Sequence, residues 1–484
     1  MNLLFIDIDT LRADHLGCYG YHRNTTPAMD SVSRDGIRME SCFTSDAPCL
    51  PSRSALQHGR FGIHNGAINH GGRYADPYPE GPTRDFQNSE PYKKFYQVLR
   101  DNGYYTGTTS SFAGRHNAWW FLAGFNEVYD CGGLGNEPAP WVTPKALDFI
   151  DRNHTRDKWV LHFNIWDPHT AYRTPAEFGD PFKDDPVASW VTQEMIDRHQ
   201  DTYGPHGALL PLDSLEKKPT PREVSRIATM EDYTKWINGY DTGIRFADDA
   251  VGQLIARLKH YGIYDNTAII ITADHGENQG EFNIYGDHQT ADLCTSRVPM
   301  IVKLPGFAPA IDTTLHYQFD ITATLLELLE IPIPEKWDAQ SFAPSLKRGR
   351  PEGRDYLVVS QSVWSCQRSV VRDDSILIKT YMDGLKDFPE YMLFDRIRDP
   401  HEQHNLAGSM PDKVEEGKVL LEKWIAEQLA CSDVDEDPMM KVIEEGGPFH
   451  SRNRLGFYVD FYNSIGKEHL ARRMKEKYEG IKGY

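Results

Sequence analysis

The sequence predicts an α/β protein: a large, mixed and mostly parallel sheet flanked by helices, followed by a smaller C-terminal subdomain with an antiparallel sheet. Apolar runs at Leu3 to Ile8, Trp159 to Ile165 and Thr267 to Ile271 are typical of buried parallel strands, which are apolar on both faces. Segments with helical spacing lie between them, and alternating strands with turns follow residue 345. The 484 residues exceed what one hydrophobic core usually supports, which favours two units.

The composition limits the classes of partner. The formal net charge of −19 disfavours nucleic acid and anionic membranes, and no apolar run is long enough to cross a bilayer. A small anionic substrate remains compatible if its site is locally positive. The seven cysteines show no paired framework or metal-ligand spacing, and the N-terminus reaches Asp7 too early for a signal peptide. We therefore expect a reduced, cytoplasmic protein.

The first predicted strand ends at Asp9 and Thr10. Ligands in open α/β sheets bind at the carboxyl ends of strands, so Asp9 is a candidate for binding a metal or a substrate. Asp7 lies two residues back on the same face. The sequence leaves open whether Asp7 is a second ligand or a paired structural carboxylate.

Cys49 stands at the beginning of a short helix that ends at Gly59. The N-terminal end of a helix favours an anion, and Arg53 and Arg60 add two fixed positive charges nearby. Taken alone, a cysteine in such a position is more often a buried structural residue than a catalytic one.

Two later strands deliver polar residues to their carboxyl ends. The strand from Thr267 leads into Asp274 and His275, and the strand from Trp159 leads into a loop with His169. Oxygen and nitrogen ligands from separate strands suit a hard or borderline divalent ion. An imidazole is a hydrogen-bond donor or a proton source near neutral pH.

The pattern Cys-x-Pro-Ser-Arg-x-x-x-x-x-Gly-Arg, which begins at Cys49, resembles the signature of the type I sulfatases, a branch of the alkaline phosphatase superfamily. The resemblance implies an alkaline-phosphatase-like fold. It also implies that a formylglycine-generating or sulfatase-maturing enzyme converts Cys49 to formylglycine. The opening segment FIDIDTLRADHLGCYG is similar to the family's first strand and loop, with Thr10 standing where many members have a second aspartate.

The resemblance also assigns roles to individual residues. Most sulfatases carry a lysine and a histidine in a Gly-Lys-Trp-His pattern, and Arg115 and His116 are the nearest counterparts here. The implied metal ligands, for Ca²⁺ first and Mn²⁺ or Mg²⁺ as alternatives, are Asp9, Cys49, Asp274 and His275. The implied catalytic residues are Cys49, Arg53, His116 and His169. The implied substrate-binding residues are Arg115 and His288.

The implied reaction is hydrolysis of a small anionic ester. In the family the hydrated aldehyde attacks sulfur, the alcohol leaves, and sulfate departs as the aldehyde re-forms. The 12% aromatic content and a long irregular segment from Asp180 to Arg222 favour a sulfated sugar. The alternative is a phosphonate monoester or phosphodiester hydrolase of the same superfamily. A non-catalytic binding protein with an unmodified Cys49 is a third reading, which the retained set of site residues disfavours.

The expected domains are residues 1–345, the catalytic α/β domain, and residues 346–440, a C-terminal α+β subdomain. The basic, glycine-containing segment Leu346 to Arg354 marks the boundary. Residues 441–484 form a tail, which we expect either on the active-site face or against a second subunit of a homo-oligomer.

Overall fold

The computed structural model describes residues 1–79, 89–209 and 220–484. Its strands are Asn2–Ile8 (β1), Ile37–Phe43 (β2), Asp46–Ala47 (β3), Tyr105–Thr109 (β4), Glu127–Tyr129 (β5), Trp159–Ile165 (β6), Thr267–Thr272 (β7), Asn278–Gln279 (β8), Tyr285–Asp287 (β9), Met300–Lys303 (β10), Ala310–Tyr317 (β11), Leu357–Gln361 (β12), Cys366–Val371 (β13), Ser375–Met382 (β14) and Tyr391–Asp395 (β15).

The α-helices of the described residues are Pro27–Arg34 (α1), Cys49–His58 (α2), Gly62–Asn65 (α3), Phe95–Asp101 (α4), Phe112–His116 (α5), Ala139–Asn153 (α6), Gln193–His199 (α7), Met230–His260 (α8), Leu293–Ser296 (α9), Asp320–Leu328 (α10), Ala343–Arg348 (α11), Pro411–Cys431 (α12), Pro438–Glu444 (α13), Leu455–Ser464 (α14) and Glu468–Tyr478 (α15). Within the described ranges, no helix is both long and apolar enough to span a membrane.

The main sheet has the strand order β11-β2-β10-β7-β1-β6-β4-β5. Strand β10 is antiparallel to both of its neighbours, and the other pairs are parallel. This confirms the predicted mixed, mostly parallel sheet. Because β1 is parallel to both β6 and β7, the carboxyl ends of these three strands meet at one edge of the sheet. All residues of the three strands are buried.

The long helix α8 packs against α1 and α6. Its first turn is closed by a capping box, in which the Asp232 amide donates to Thr229 Oγ1 over 3.1 Å and the Thr229 amide donates to Asp232 Oδ2 over 2.9 Å. These bonds satisfy backbone donors that an uncapped helix would leave free. The helix ends shortly before Gly262, which has a φ of +66°.

The smaller sheet has the strand order β15-β14-β13-β12-β3 and is antiparallel except for the β12–β3 pair. This confirms the predicted antiparallel sheet. Its edge strand β3 comes from the N-terminal part of the chain, with Asp46 aligned to Ser360 and Ala47 to Gln361, a pairing that the sequence analysis did not anticipate. Since β3 lies directly before α2, the smaller sheet helps to fix where α2 begins.

The tail packs on the loops of the rest of the chain. Its aromatic and aliphatic side chains form a cluster with Tyr203, Leu209 and Leu385. The Gly204 amide donates to Tyr462 Oη over 2.9 Å, and Tyr478 Oη donates to Asp383 Oδ2 over 2.7 Å. The tail therefore holds two separate loops, one near residue 204 and one near residue 384.

The segment from Asp180 to Arg222 is not irregular throughout. It contains α7, whose Thr192 side chain accepts a hydrogen bond from the Met195 amide and whose Met195 and Ile196 are buried. The expectation of an unbroken loop is wrong here, because a short helix with two core residues gives little periodicity. Residues 210–219 of this segment lie outside the described residues.

Candidate active site

Cys49 is the first residue of α2 and is 1% exposed. Its Sγ lies 3.1 Å from His275 Nε2. Burial, together with the carboxylates of Asp9 and Asp274, raises the pKa of the Cys49 thiol well above its usual value. The helix begins here because β3 pairs with β12 just upstream. It ends at Gly59, whose φ of +62° suits glycine.

Arg53 lies one turn after Cys49 and contacts three buried carboxylates. Its Nε lies 2.8 Å from Asp7 Oδ2 and its Nη1 lies 2.9 Å from Asp9 Oδ2, and Nη1 also contacts Asp274. Burial opposes the ionisation of Asp7, but Arg53 and His162 outweigh it and lower the Asp7 pKa to about 2. Asp7 is thus the partner of Arg53, the second of the two roles left open by the sequence.

For Asp9 and Asp274, the neighbouring positive charges do not outweigh the effect of burial on the pKa, as they do for Asp7. Burial, with Asp274 adding to it, raises the pKa of Asp9 to about 7, and burial against the pull of Arg53 raises that of Asp274 to about 6. Asp9 Oδ1 is buried and has no hydrogen-bond partner within the part of the chain that the structure describes. Buried carboxylate oxygens normally have partners, so this position fits a cation.

Four buried residues fit the requirements of a metal site. Asp9, Cys49, Asp274 and His275 offer ligand atoms that all lie within 4.8 Å of one another. His275 Nδ1 lies 2.7 Å from the Gly276 carbonyl oxygen. The Nδ1 proton is therefore donated to that carbonyl, which leaves the Nε2 lone pair for a metal, the arrangement typical of histidine ligands. The set of oxygen and nitrogen donors suits a hard or borderline divalent ion.

Thr10 lies beside the candidate ligand Asp274. It has a φ of +58°, and its amide lies 3.2 Å from Asp274 Oδ1 and donates to it. Its Oγ1 is buried and has no hydrogen-bond partner among the described residues. The backbone of Thr10 thus orients one candidate ligand, Asp274.

A cavity of about 820 Å³ opens above Cys49. The structure brings Arg115, His116, His169 and His288 to its lining together with Cys49. Arg115 lies over the Trp166 ring at 4.9 Å, and its Nη1 donates to the Leu134 carbonyl over 3.0 Å. These contacts fix one positive charge at the cavity.

Three histidines of the cavity have pKa values below the usual range. Burial, then Arg115, lowers the pKa of His116 and of His169 well below the usual value. Burial, then His275, lowers the pKa of His288 to about 3. The centroids of the His288 and His275 rings lie 4.2 Å apart. His288 therefore lies directly beside a candidate metal ligand.

Most of the chain is similar to known protein families. Residues 1–331 match the model of the family Sulfatase. The chain belongs to the Sulfatase family. It is therefore a sulfuric ester hydrolase, and the resemblance seen in the sequence is confirmed. Residues 280–428 match a second model, described as N-sulphoglucosamine sulphohydrolase, C-terminal.

Individual relatives are distant in sequence. The N-acetylglucosamine-6-O-sulfatase of Bacteroides thetaiotaomicron is 22% identical over 94% of this chain and 90% of the relative. The multifunctional alkaline phosphatase superfamily protein PehA of Trinickia caryophylli is 30% identical over 84% of this chain and 91% of the relative.

Two solved structures share the fold. One, described as a complex with its substrate D-glucosamine-2-N,6-O-disulfate, has a TM-score of 0.68 at 19% identity and covers 90% of this chain and 99% of its own. The phosphonate monoester hydrolase of Silicibacter pomeroyi has a TM-score of 0.65 at 19% identity, covering 90% of this chain and 96% of its own.

Several further residues of this sulfatase line the cavity, and the sequence analysis assigned no individual role to them. They are His70, Arg173, His206, Asp287, Trp364, Phe449 and His450. His70 belongs to the glycine-rich loop that follows Arg60. Trp364 and His450 carry no motif, because the smaller sheet and the tail bring them to the cavity by long-range packing.

Two neighbouring tryptophans of this sulfatase, Trp119 and Trp120, do not contribute to the cavity. Trp119 is 62% exposed and Trp120 packs near the His58 ring, at 5.5 Å between centroids, and neither lines the cavity. The fixed positive charges among its lining residues are Arg115 and Arg173, with no lysine among the described ones.

Proposed function

We propose that this sulfatase hydrolyses a sulfate ester of a carbohydrate, with residue 49 as the nucleophile after conversion to formylglycine. The observation that carries the proposal is the position of Cys49, which belongs both to the four-residue candidate metal group and to the lining of the cavity with Arg115, His116, His169 and His288. The sugar specificity draws support from relatives named as an N-acetylglucosamine-6-O-sulfatase and as a complex with a glucosamine disulfate.

Two groups that the chain acquires supply the nucleophilic chemistry. A formylglycine supplies a hydrated aldehyde oxygen, and a divalent ion supplies positive charge and Lewis acidity. Asp9, Asp274, His275 and residue 49 would hold the ion. We propose Ca²⁺, which prefers carboxylate oxygens, with Mg²⁺ and Mn²⁺ as alternatives. Arg53 keeps Asp9 and Asp274 in place through Nη1.

The cavity side chains bind the ester. Arg115, with the uncharged donors His116 and His288, faces the sulfate oxygens, since preorganised donors stabilise charge that develops during the reaction. His169 Nδ1 contacts the Thr170 carbonyl oxygen, so its proton is donated there. In the neutral ring this leaves Nε2 as an acceptor. The ring would take up a second proton from solvent when the anionic ester binds, and Nε2 would then deliver that proton to the departing alcohol oxygen.

The test combines modification and turnover in one preparation. The mass of the tryptic peptide Met39 to Arg53 reports whether Cys49 is a thiol or an aldehyde. Turnover of 4-nitrophenyl sulfate and of N-acetylglucosamine 6-sulfate reports the reaction, before and after chelation and addition of Ca²⁺. We expect an aldehyde and Ca²⁺-dependent turnover of both esters. A thiol in a host that can modify it, with no turnover, contradicts the proposal.

A second activity, toward phosphonate monoesters or phosphodiesters, is favoured by one observation. The relative PehA is 30% identical over most of both chains, a higher identity than that of the sugar sulfatase above. Aryl phosphodiester turnover, measured beside sulfate turnover, ranks the two activities. The maturing enzyme as a partner and the cytoplasmic location stay predictions.

A further inference from the structure

The C-terminal tail reaches the cavity of the proposed sulfatase reaction. Phe449 and His450 line the cavity that contains Cys49. They lie beyond residue 428, where the second family match ends, so they belong to the part of the chain outside both family matches. The His450 amide donates to the Val363 carbonyl over 3.1 Å, and the Phe449 amide lies 3.3 Å from Asn69 Oδ1 and donates to it. Two backbone contacts therefore anchor this segment.

Side-chain contacts fix His450 further. Its ring stacks on Trp364, with 4.6 Å between centroids and an interplanar angle of 26°. His450 Nε2 lies 3.0 Å from His70 Nδ1. One of these nitrogens donates to the other, so the pair shares a single proton and the tautomers of the two rings are coupled. His450 thus orients His70.

On the side away from His450, His70 faces His116, and both rings have a nitrogen that is free to form a hydrogen bond. The His70 ring lies 4.8 Å from the His116 ring. Nε2 of His70 and Nε2 of His116 are both buried, and neither has a hydrogen-bond partner in residues 1–79, 89–209 and 220–484. A buried polar atom without a partner is costly, and two of them side by side in a cavity wall indicate a polar ligand.

Phe449 adds an apolar surface beside these nitrogens. Its ring occupies the space that a side chain on Gly71 would need, so glycine is required there for the ring to approach. The side chain remains 48% exposed. Phe449 therefore has an accessible surface on the cavity, as a sugar-stacking ring requires.

We propose that Phe449, His450 and His70 form a subsite that binds the hydroxyl-bearing ring of the ester, next to His116, which faces its sulfate group. The inference rests on the proposed function and deepens it by assigning sugar recognition to the tail. Each unprotonated imidazole is one donor and one acceptor, which matches a hydroxyl group. Burial, with neighbouring histidines, lowers the pKa of His70 well below its usual value, and an uncharged ring suits an uncharged partner.

The kinetic test compares two esters that differ in hydroxyl groups. For Phe449→Ala and His450→Phe, we expect kcat/KM for N-acetylglucosamine 6-sulfate, relative to that for 4-nitrophenyl sulfate, to fall about tenfold through KM, as for one lost contact. His450→Gln retains polar atoms and is expected to recover part of the loss. The matched control is Phe457→Ala, which removes a tail phenylalanine that is 37% exposed and does not line the cavity. An unchanged ratio in both variants overturns the subsite.

A binding test separates failure of the subsite from failure of the proposed function. In the Cys49→Ala background, calorimetry compares the affinity for N-acetylglucosamine 6-sulfate with that for inorganic sulfate. We expect tighter binding of the sugar sulfate, and loss of that excess in Phe449→Ala. Equal affinities overturn the subsite even if turnover is observed. A third outcome is that Phe449→Ala removes the excess affinity for the sugar sulfate but the unsubstituted protein turns over no sulfate ester. That outcome overturns the proposed function and leaves the subsite intact.

Discussion

The floor and the tail-side wall of the cavity differ in charge and in origin. The floor consists of Asp9, Cys49, Arg53, Asp274 and His275, which are buried and include three charged groups. The tail-side wall consists of His70, Trp364, Phe449 and His450. The floor comes from the ends of β1 and β7 and the start of α2, whereas the wall comes from loops and the tail.

The difference teaches which part of a site the sheet determines. Parallel strands bring their carboxyl ends to one edge by topology, so the floor follows from the register of β1 with β7, in which Asp7 aligns with Thr272. The tail-side wall depends on packing between segments that are far apart in sequence, such as His70 and His450. We infer that the floor supplies the chemistry and the wall supplies the selectivity.

Removing the nucleophile of the floor has the largest expected effect. Cys49→Ala leaves the cavity lining in place but removes the residue that becomes formylglycine. We expect turnover of 4-nitrophenyl sulfate to fall by at least about 10³-fold, the size typical for loss of a nucleophile. Cys431→Ala, an exposed cysteine outside the cavity lining, is the control. Turnover by Cys49→Ala equal to that of the control would falsify the assignment.

Removing the guanidinium of the floor tests its charge balance. Arg53→Ala leaves Asp7, Asp9 and Asp274 buried without their shared cation. We expect the free energy of unfolding, measured with denaturant, to fall by about 3–5 kcal/mol, as for one partner removed from a buried pair.

The control for Arg53 is a surface arginine. Arg152 is 43% exposed in its side chain and pairs with Glu127 and Asp148. Arg152→Ala should lower the free energy of unfolding by less than about 1 kcal/mol. If the two variants lose equal stability, the buried carboxylates do not depend on Arg53 and the floor is not the charged network described above.

Sequence reasoning reached the floor and missed much of the tail-side wall for a physical reason. Asp9, Asp274 and His169 each follow an apolar run, so local pattern and sheet topology together place them at one edge. The fold followed in the same way from buried runs and helical spacing. Trp364 and His450 meet only through a stacking contact between the smaller sheet and the tail, and no local pattern encodes that meeting.

His169 gives the most selective prediction, because it lies between the two regions. Its Nε2 lies 3.9 Å from Asp9 Oδ1 on the floor, and its ring lies 6.0 Å from that of His288. If Nε2 protonates the leaving oxygen, His169→Asn should lower kcat for N-acetylglucosamine 6-sulfate by about 10²-fold. The kcat for 4-nitrophenyl sulfate should fall much less, since nitrophenolate departs without a proton. An equal loss with both esters would instead assign His169 to sulfate binding, because that contact is common to the two substrates.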